Sequence, residues 1–341
     1  MVVIELDTSK DRKATIKDIC QKTGLAIGTV SKYLNGGSLK QANADKIRSA
    51  ILELDYKVDI YARGMKTKKT NTVGVLLPQL GNAFYGSIAT AIGTELQKHG
   101  YEMLVQESNY NPDREIECLN SFVERRTDGI ICFLLSEDLS KFEKFANEPL
   151  VIMERDQIKE FSAERVNVNN KEIVKETTKY LIDEGHEKIA GVFPIGSFTG
   201  EERVKGFIEA YEEKNIPFEN DLIYYFDEKL SNEYDVISKI LDEKKCTALF
   251  TSNYTSTLSA MFLFNERHIK IPNDISIIGF DNIMFTKLFT PKLTIITQPI
   301  EEIAEVSVNR VIDLIENKNF KKRNNLLKCK LLYGESVKKI K

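Results

Sequence analysis

Histidine and cysteine, from which most metal and disulfide sites are built, are scarce here and scattered. Three histidines (His99, His186, His268) stand alone; the five cysteines (Cys20, Cys118, Cys132, Cys246, Cys329) are odd in number and never form a C-x-x-C. That spacing argues against zinc and against a disulfide framework, and fits buried thiols in a reducing compartment. No stretch approaches ~18 consecutive apolar residues, so no membrane-spanning helix is expected. The opening Met1-Val2-Val3-Ile4-Glu5 leads into further acid and no apolar run, so a secretory signal is not expected and the cytoplasm is the expected location. Catalytic signatures are missing as well. There is no G-x-G-x-x-G after a strand, no G-x-x-x-x-G-K-[ST] and no G-x-S-x-G, and no pair of acids stands out as general acid and base. Neither an enzyme nor a cofactor or metal is expected.

What is present is a chain of 341 residues, 42% hydrophobic and 29% charged, with a formal charge of −3. A single core stops growing near roughly 250–300 residues, so two or three domains are expected. The charge is unevenly spread. Residues 1–70 hold 14 Lys and Arg against 8 Asp and Glu, a net of +6, while the rest hold 34 against 43, a net of −9. A basic head on an acidic body is the electrostatic footprint of a nucleic-acid-binding domain joined to something else.

The head reads as three short helices. Thr15 and Asp18 have capping-box spacing ahead of Ile16, Ile19 and Cys20, and Gly24 ends that helix. Val30 and Leu34 form an i, i+4 apolar pair in a second helix, which Asn35-Gly36-Gly37 breaks; Ala44, Ile47, Ile51 and Leu54 line a third. This is a helix-turn-helix pattern, although periodicity alone also fits any small three-helix bundle. From Val73 onward, apolar runs alternate with helical segments at ~25–30-residue intervals, as in a doubly wound α/β domain. The expected strands are 73–77, 103–105, 129–133, 150–153, 189–193, 248–251, 275–279 and 294–297. Helices are expected around Ile88–Leu96, from Asp113, between Phe133 and Leu150, and over 171–184, 201–214, 255–267 and from Ile300. A single sheet of that length would be unusual. Two α/β lobes flanking a cleft are expected, with another crossing between lobes near 294–300.

Thr15-Ile16-Lys17-Asp18-Ile19, Gly24-Leu25 and Thr29-Val30-Ser31-Lys32-Tyr33-Leu34-Asn35-Gly36, in this order and spacing, resemble the head of the LacI/GalR (lactose/galactose repressor) family of bacterial transcriptional regulators. The resemblance continues through Asn82-Ala83-Phe84-Tyr85, Arg126-x-Asp128-Gly129, Glu184-Gly185-His186, Arg203-x-x-Gly206-Phe207, the run Ile271 to Asn282 and Thr290-Pro291-x-Leu293-Thr294. It implies an all-α helix-turn-helix head with a hinge helix, joined to a two-lobed α/β core like that of periplasmic binding proteins. The boundaries are a flexible arm over 1–13, the helix-turn-helix over 14–58, hinge and linker over 59–71, and the effector-binding and dimerisation core over 72–341. It implies a repressor that binds a palindromic operator as a homodimer and responds to a small polar effector, a sugar or sugar derivative. A regulator of this fold controlled by a protein partner, or a sugar-metabolising enzyme, is the alternative.

The resemblance also assigns residues. Ile27, Gly28 and Lys32 would face base edges, with Thr15, Thr29, Ser31 and Asn35 on the DNA beside them. Three departures thin this readout: Ala26 replaces a capping Ser worth ~1 kcal/mol, Gly28 has no side chain, and Lys32 replaces a bidentate Arg. In the hinge, Asp59 would cap a short helix over 60–66 carrying Tyr61, Ala62, Arg63, Met65 and Lys66. Val58 replaces the usual Pro and Gly64 loosens the centre. Met65 stands where the family places a leucine wedge in the minor groove. For the effector, Phe84 and Tyr85 would line or stack on the ligand and Glu154, Arg203, Asn253 and Asp281 would pair its hydroxyls. Arg155 would be a ligand or an ion-pair residue. Tyr254 stands where the family often has an acid, which points away from an ordinary free sugar and towards a glycoside, a phosphorylated sugar or a smaller cleft. His186 reads as structural. The hinge reading predicts that Met65→Ala lowers operator affinity sharply in a binding titration while effector binding is retained; unchanged operator affinity would refute the wedge.

Overall fold

The computed structural model describes residues 14–34, 36–57, 69–136, 140–155, 163–281, 284–317 and 324–340. The chain separates into two compact units, residues 1–70 and 71–341. The arm over 1–13, Asn35 and the hinge positions Tyr61, Ala62, Arg63, Met65 and Lys66 lie outside the described residues.

In the first unit α1 (Ile16–Thr23), α2 (Ile27–Leu34) and α3 (Gln41–Glu53) bury Ile19, Val30, Ile47 and Ala50 against one another. The entrance to α1 is fixed by Asp18, whose carboxylate accepts from both the N–H and the hydroxyl of Thr15 at 2.7 Å. Its exit is fixed by Gly24, which takes φ 67° and returns its N–H to the Cys20 carbonyl. The turn into α2 is therefore set by backbone geometry that a glycine adopts without a Cβ penalty.

The second unit holds two six-stranded sheets. The first runs in the order β11-β5-β4-β3-β1-β2, all parallel, with β1 Thr72–Leu77, β2 Glu102–Glu107, β3 Gly129–Phe133, β4 Leu150–Met153, β5 Glu164–Val168 and β11 Asn324–Leu327. The second runs β12-β10-β9-β8-β6-β7, with β6 Ile189–Pro194, β7 Ile223–Phe226, β8 Ala248–Thr251, β9 Ser276–Phe280, β10 Thr294–Thr297 and β12 Lys330–Leu332; only β12 is antiparallel to its neighbour. Helices cover both faces, as a parallel sheet requires. On the first sheet α4 (Ala83–Lys98) and α10 (Ile300–Ile315) bury the Val73, Val75 and Val151 face, and α5 (Pro112–Glu124) buries the Leu76, Ile130 and Ile152 face. On the second, α6 (Asn170–Asp183) and α7 (Phe198–Lys214) cover Phe193 and Phe250, while α8 (Glu233–Glu243) and α9 (Tyr254–Glu266) cover Val192, Leu249 and Ile277. The chain thus crosses between lobes three times: from β5 into α6, from β10 into α10, and from β11 into β12.

Two expectations are corrected. The segment between Phe133 and Leu150 has no α-helix among its described residues; Ser140–Phe145 makes a short 3₁₀ turn that inserts Phe142 and Phe145 into the core. Strands β5, β7, β11 and β12 and helix α8 also exist where no element was expected. His186 is fully buried and holds the C-terminal segment: Nε2 donates to the Lys338 carbonyl at 3.0 Å, leaving Nδ1 to accept from the Thr247 hydroxyl at 2.8 Å. Burial lowers its pKa, so it serves as a neutral structural group.

The closest helix pairing, α6 against α7, depends on Gly206. A Cβ there would overlap the backbone carbonyl of Lys171, which cannot rotate away as a side chain could. Overpacking of this kind costs about 1–3 kcal/mol, more than the ~1 kcal/mol alanine gains in helix propensity. Gly206→Ala should therefore lower the unfolding midpoint by several degrees in a thermal melt, and an unchanged or raised midpoint would contradict this packing.

Candidate functional site

On the head, the exposed start of α2 is as apolar as its sequence. Ala26 and Gly28 are exposed, Ile27 is 57% exposed, and Lys32 lies outward one turn further on. Val30 faces the core between Thr29 and Ser31, both half-buried. Ala26 offers only its carbonyl to the helix, accepting from Thr29 and Val30. The outward surface thus presents one large apolar side chain and one ammonium.

In the core, a cavity of about 50 Å³ opens where the carboxyl ends of the two sheets meet, the usual place for a ligand in open α/β sheets. Seven of the eight expected effector residues line it: Phe84, Tyr85, Glu154, Arg203, Asn253, Tyr254 and Asp281. At ~10–15 Å³ per water it holds only a few waters, so the lobes stand close together. Tyr85 meets Phe84 and Phe133 edge to face at 5.4 and 5.2 Å, forming the aromatic wall of the first lobe.

The two lobes place their acids by one device. Glu154 follows β4 and Asp281 follows β9, and these strands hold the same place in the two sheet orders. Both residues take a left-handed backbone, φ 57° and 67°, and each returns its N–H to the next strand, at Val166 and Ile296. Each carboxylate also meets an amide side chain beyond that next strand, Asn170 for Glu154 at 3.1 Å and Gln298 for Asp281 at 2.8 Å. Non-glycine residues held at positive φ carry strain that clusters at binding sites.

Between the acids lies Arg203 of α7, 5% exposed. Nε donates to Asn170 Oδ1 at 2.8 Å, Nη1 donates to the Ser252 carbonyl at 2.6 Å, and the guanidinium sits 4.1 Å over the Phe280 ring. Burial raises the pKa values of Glu154 and Asp281, and the Arg203 charge opposes it at both. Burial also keeps the Tyr85 phenol neutral, well above its usual range.

Arg155 is not brought to the cavity. Its Nη1 donates to the Leu134 carbonyl at 2.9 Å and its charge acts on buried Glu115, so it braces the loop after β3. Conversely, Gln298 and Glu228 line the cavity without having been singled out. Glu228 lies in Asp227-Glu228-Lys229, a run that resembles a solvated loop and gives no signal of burial. Its Oε1 accepts from Asn253 Nδ2 at 3.0 Å. Burial pushes its pKa from 4.5 up to about 7, Arg203 opposes this, and Glu233 and Asp227 add to it.

Such a carboxyl binds its proton more tightly folded than unfolded. Stability therefore falls as pH rises from about 4.5 to about 7 and levels off above. Replacing it by an isosteric amide removes that slope. Glu228→Gln should raise stability at pH 8 by about 1–3 kcal/mol while leaving it nearly unchanged at pH 4.5, in denaturant titrations at the two pH values. Equal effects at both would mean that Glu228 does not titrate in this window.

The comparisons with known proteins agree with this architecture. A model of the periplasmic binding protein-like domain matches residues 178–337. The HTH-type transcriptional regulator DegA of Bacillus subtilis is 32% identical over 297 residues, covering 85% of this chain and 88% of its own. The HTH-type transcriptional repressor PurR of Vibrio vulnificus is 31% identical, covering 96% and 99%. The lac repressor dimer bound to operator and the anti-inducer ONPF superposes with a TM-score of 0.84 at 21% identity, over 96% of this chain and all of that one. The chain belongs to the LacI/GalR family of DNA-binding transcriptional regulators.

Proposed function

We propose that this regulator is a homodimeric repressor of a palindromic operator, working in the cytoplasm, whose grip on DNA is set by a sugar or sugar derivative held between the lobes. The observation that carries the effector reading is the convergence of Phe84, Tyr85 and Glu154 from one lobe with Arg203, Asn253, Tyr254 and Asp281 from the other on one cavity. Carboxylates, a guanidinium and aromatic rings are what a hydroxylated ligand needs, because each buried hydroxyl must find a partner. Relatives of this fold give precedent: one solved structure is a CelR–cellobiose complex and another holds D-xylulofuranose. The dimer reading rests on half-site geometry, since one helix-turn-helix reads half of a palindrome.

In this reading the effector binds one angle between the lobes better than another. In a dimer that difference reaches the DNA through the two linkers at residues 70–72. Coupling of this kind is typically 1–3 kcal/mol, or ~5–150-fold in affinity. Arg203→Lys keeps the charge but loses the fork that joins Asn170 to Ser252. It should retain operator binding without effector, with two chains per operator, and lose the effector-dependent shift. A mobility-shift titration with and without effector reads both. An undiminished shift would remove Arg203 from the effector site, and a response to a protein extract but to no sugar would favour control by a protein partner.

A further inference from the structure

We infer that the effector presents a protonated amine to Glu228, so that this cleft selects an amino sugar or a similar small hydroxylated cation and rejects sugar phosphates. The inference rests on the effector reading above and narrows it.

Charge comes first. The charged residues lining the cavity are Glu154, Glu228 and Asp281 against one Arg203, and among the described residues no lysine or histidine joins them. A second anion brought into this enclosure would face three carboxylates. The one guanidinium is already committed to Asn170, the Ser252 carbonyl and the Phe280 ring. Its one positive charge is shared among the protein's own three acids, so a phosphate entering here meets a net negative lining.

Unmet hydrogen-bonding capacity comes next, and it is independent of the charge count. Asp281 accepts from Gln298 and from the Tyr254 N–H, and Glu154 accepts from Asn170 and a backbone N–H at Val168. Glu228 accepts only from Asn253, at Oε1, and its Oε2 has no partner among the described residues. Gln298 is 6% exposed and lines the cavity; its Nε2 is spent on Asp281, and its Oε1 is buried without a partner. Both open positions are acceptors. They call for donors, and an ammonium supplies three donors together with the missing charge.

Aromatic surroundings complete the site. The Glu228 charge acts on the phenol of Tyr85, a ring of α4 that lines the cavity, and on that of Tyr110, beyond β2. Rings beside a carboxylate favour an organic cation, which gains from the ring faces as well as from the charge. The groups facing Glu228 are Arg203 from α7, Glu233 from α8, Asp227 from its own loop, Asn253 ahead of α9, and these two tyrosines. Without ligand, Glu228 titrates near neutrality. An ammonium beside it favours the carboxylate, so amine binding at pH 6.5 releases a proton.

The test is titration calorimetry of the full-length protein at pH 6.5. The probes are D-glucosamine, D-galactosamine and D-mannosamine, their neutral parents D-glucose, D-galactose and D-mannose, and the parents' 6-phosphates. At least one amine should bind ten-fold or more tighter than its parent and its phosphate, with a heat that depends on the buffer's ionisation enthalpy. Glu228→Gln should abolish the preference and Glu228→Asp should keep part of it, both checked for an intact melting transition and operator binding. A parent or phosphate that binds as tightly as its amine, or an unchanged preference in Glu228→Gln, overturns the inference alone. If no probe of any charge binds, the sugar-effector reading falls and the inference falls with it.

Discussion

The regulatory core turns on one buried guanidinium. Arg203 ties α7 to α6 through Asn170 and to the end of β8 through the Ser252 carbonyl, and packs on Phe280 of β9. It is also the positive charge that opposes the pKa rise in Glu154, Glu228 and Asp281. Removing one partner from a buried charged set leaves the others uncompensated, a larger loss than the set's net worth. Three acids can face one cavity only because this residue is fixed among them. The fixing comes from neutral partners, so its charge remains available to the acids.

A second constraint is the repetition of one sheet plan. Because β4 and β9 hold the same rank in their sheets, the residue after each strand arrives at the cleft from opposite sides in the same left-handed conformation. Glutamate gains nothing locally from that backbone, so the strain at Glu154 is sustained by the N–H to Val166 and by Asn170. What differs between the lobes is therefore informative. Beyond β2 the first lobe places Tyr110, whereas beyond β7, the strand of equal rank, the second places Glu228. The asymmetry adds an acid where the repeated plan does not demand one.

Much of this was legible in the sequence, for identifiable reasons. Strands β1, β3, β4 and β8 are continuous apolar runs because both faces of the sheet are covered, whereas a strand with one wet face would alternate. Strands β5 (ERVNV), β11 (NNLL) and β12 (KLL) are short and carry polar residues, so neither period nor hydrophobicity marks them, whereas β7 (IYYF) does carry an apolar, β-favouring run. The cleft residues that could be named stand in motifs, most of them just beyond strand ends and Arg203 within α7. Glu228 has only charged neighbours in the chain and becomes a cleft residue through tertiary contact with Asn253. Arg155 shows the opposite failure. It adjoins Glu154 in the chain, but the left-handed turn at Glu154 ends the strand, and the Arg155 side chain runs to the Leu134 carbonyl instead.

The same separation of tasks explains the charge pattern. The core carries a net of −9 and the head +6, so phosphate attraction is concentrated in the part of the chain that must touch DNA. On the head, the exposed face of α2 offers one large apolar side chain, Ile27, and one point charge, Lys32. That surface supplies affinity more readily than discrimination. For such a surface, the ease with which the operator deforms is a second source of specificity, one that needs no base contact. In such a division an acid can be added to the cleft, as Glu228 is, while the recognition helix stays as it was.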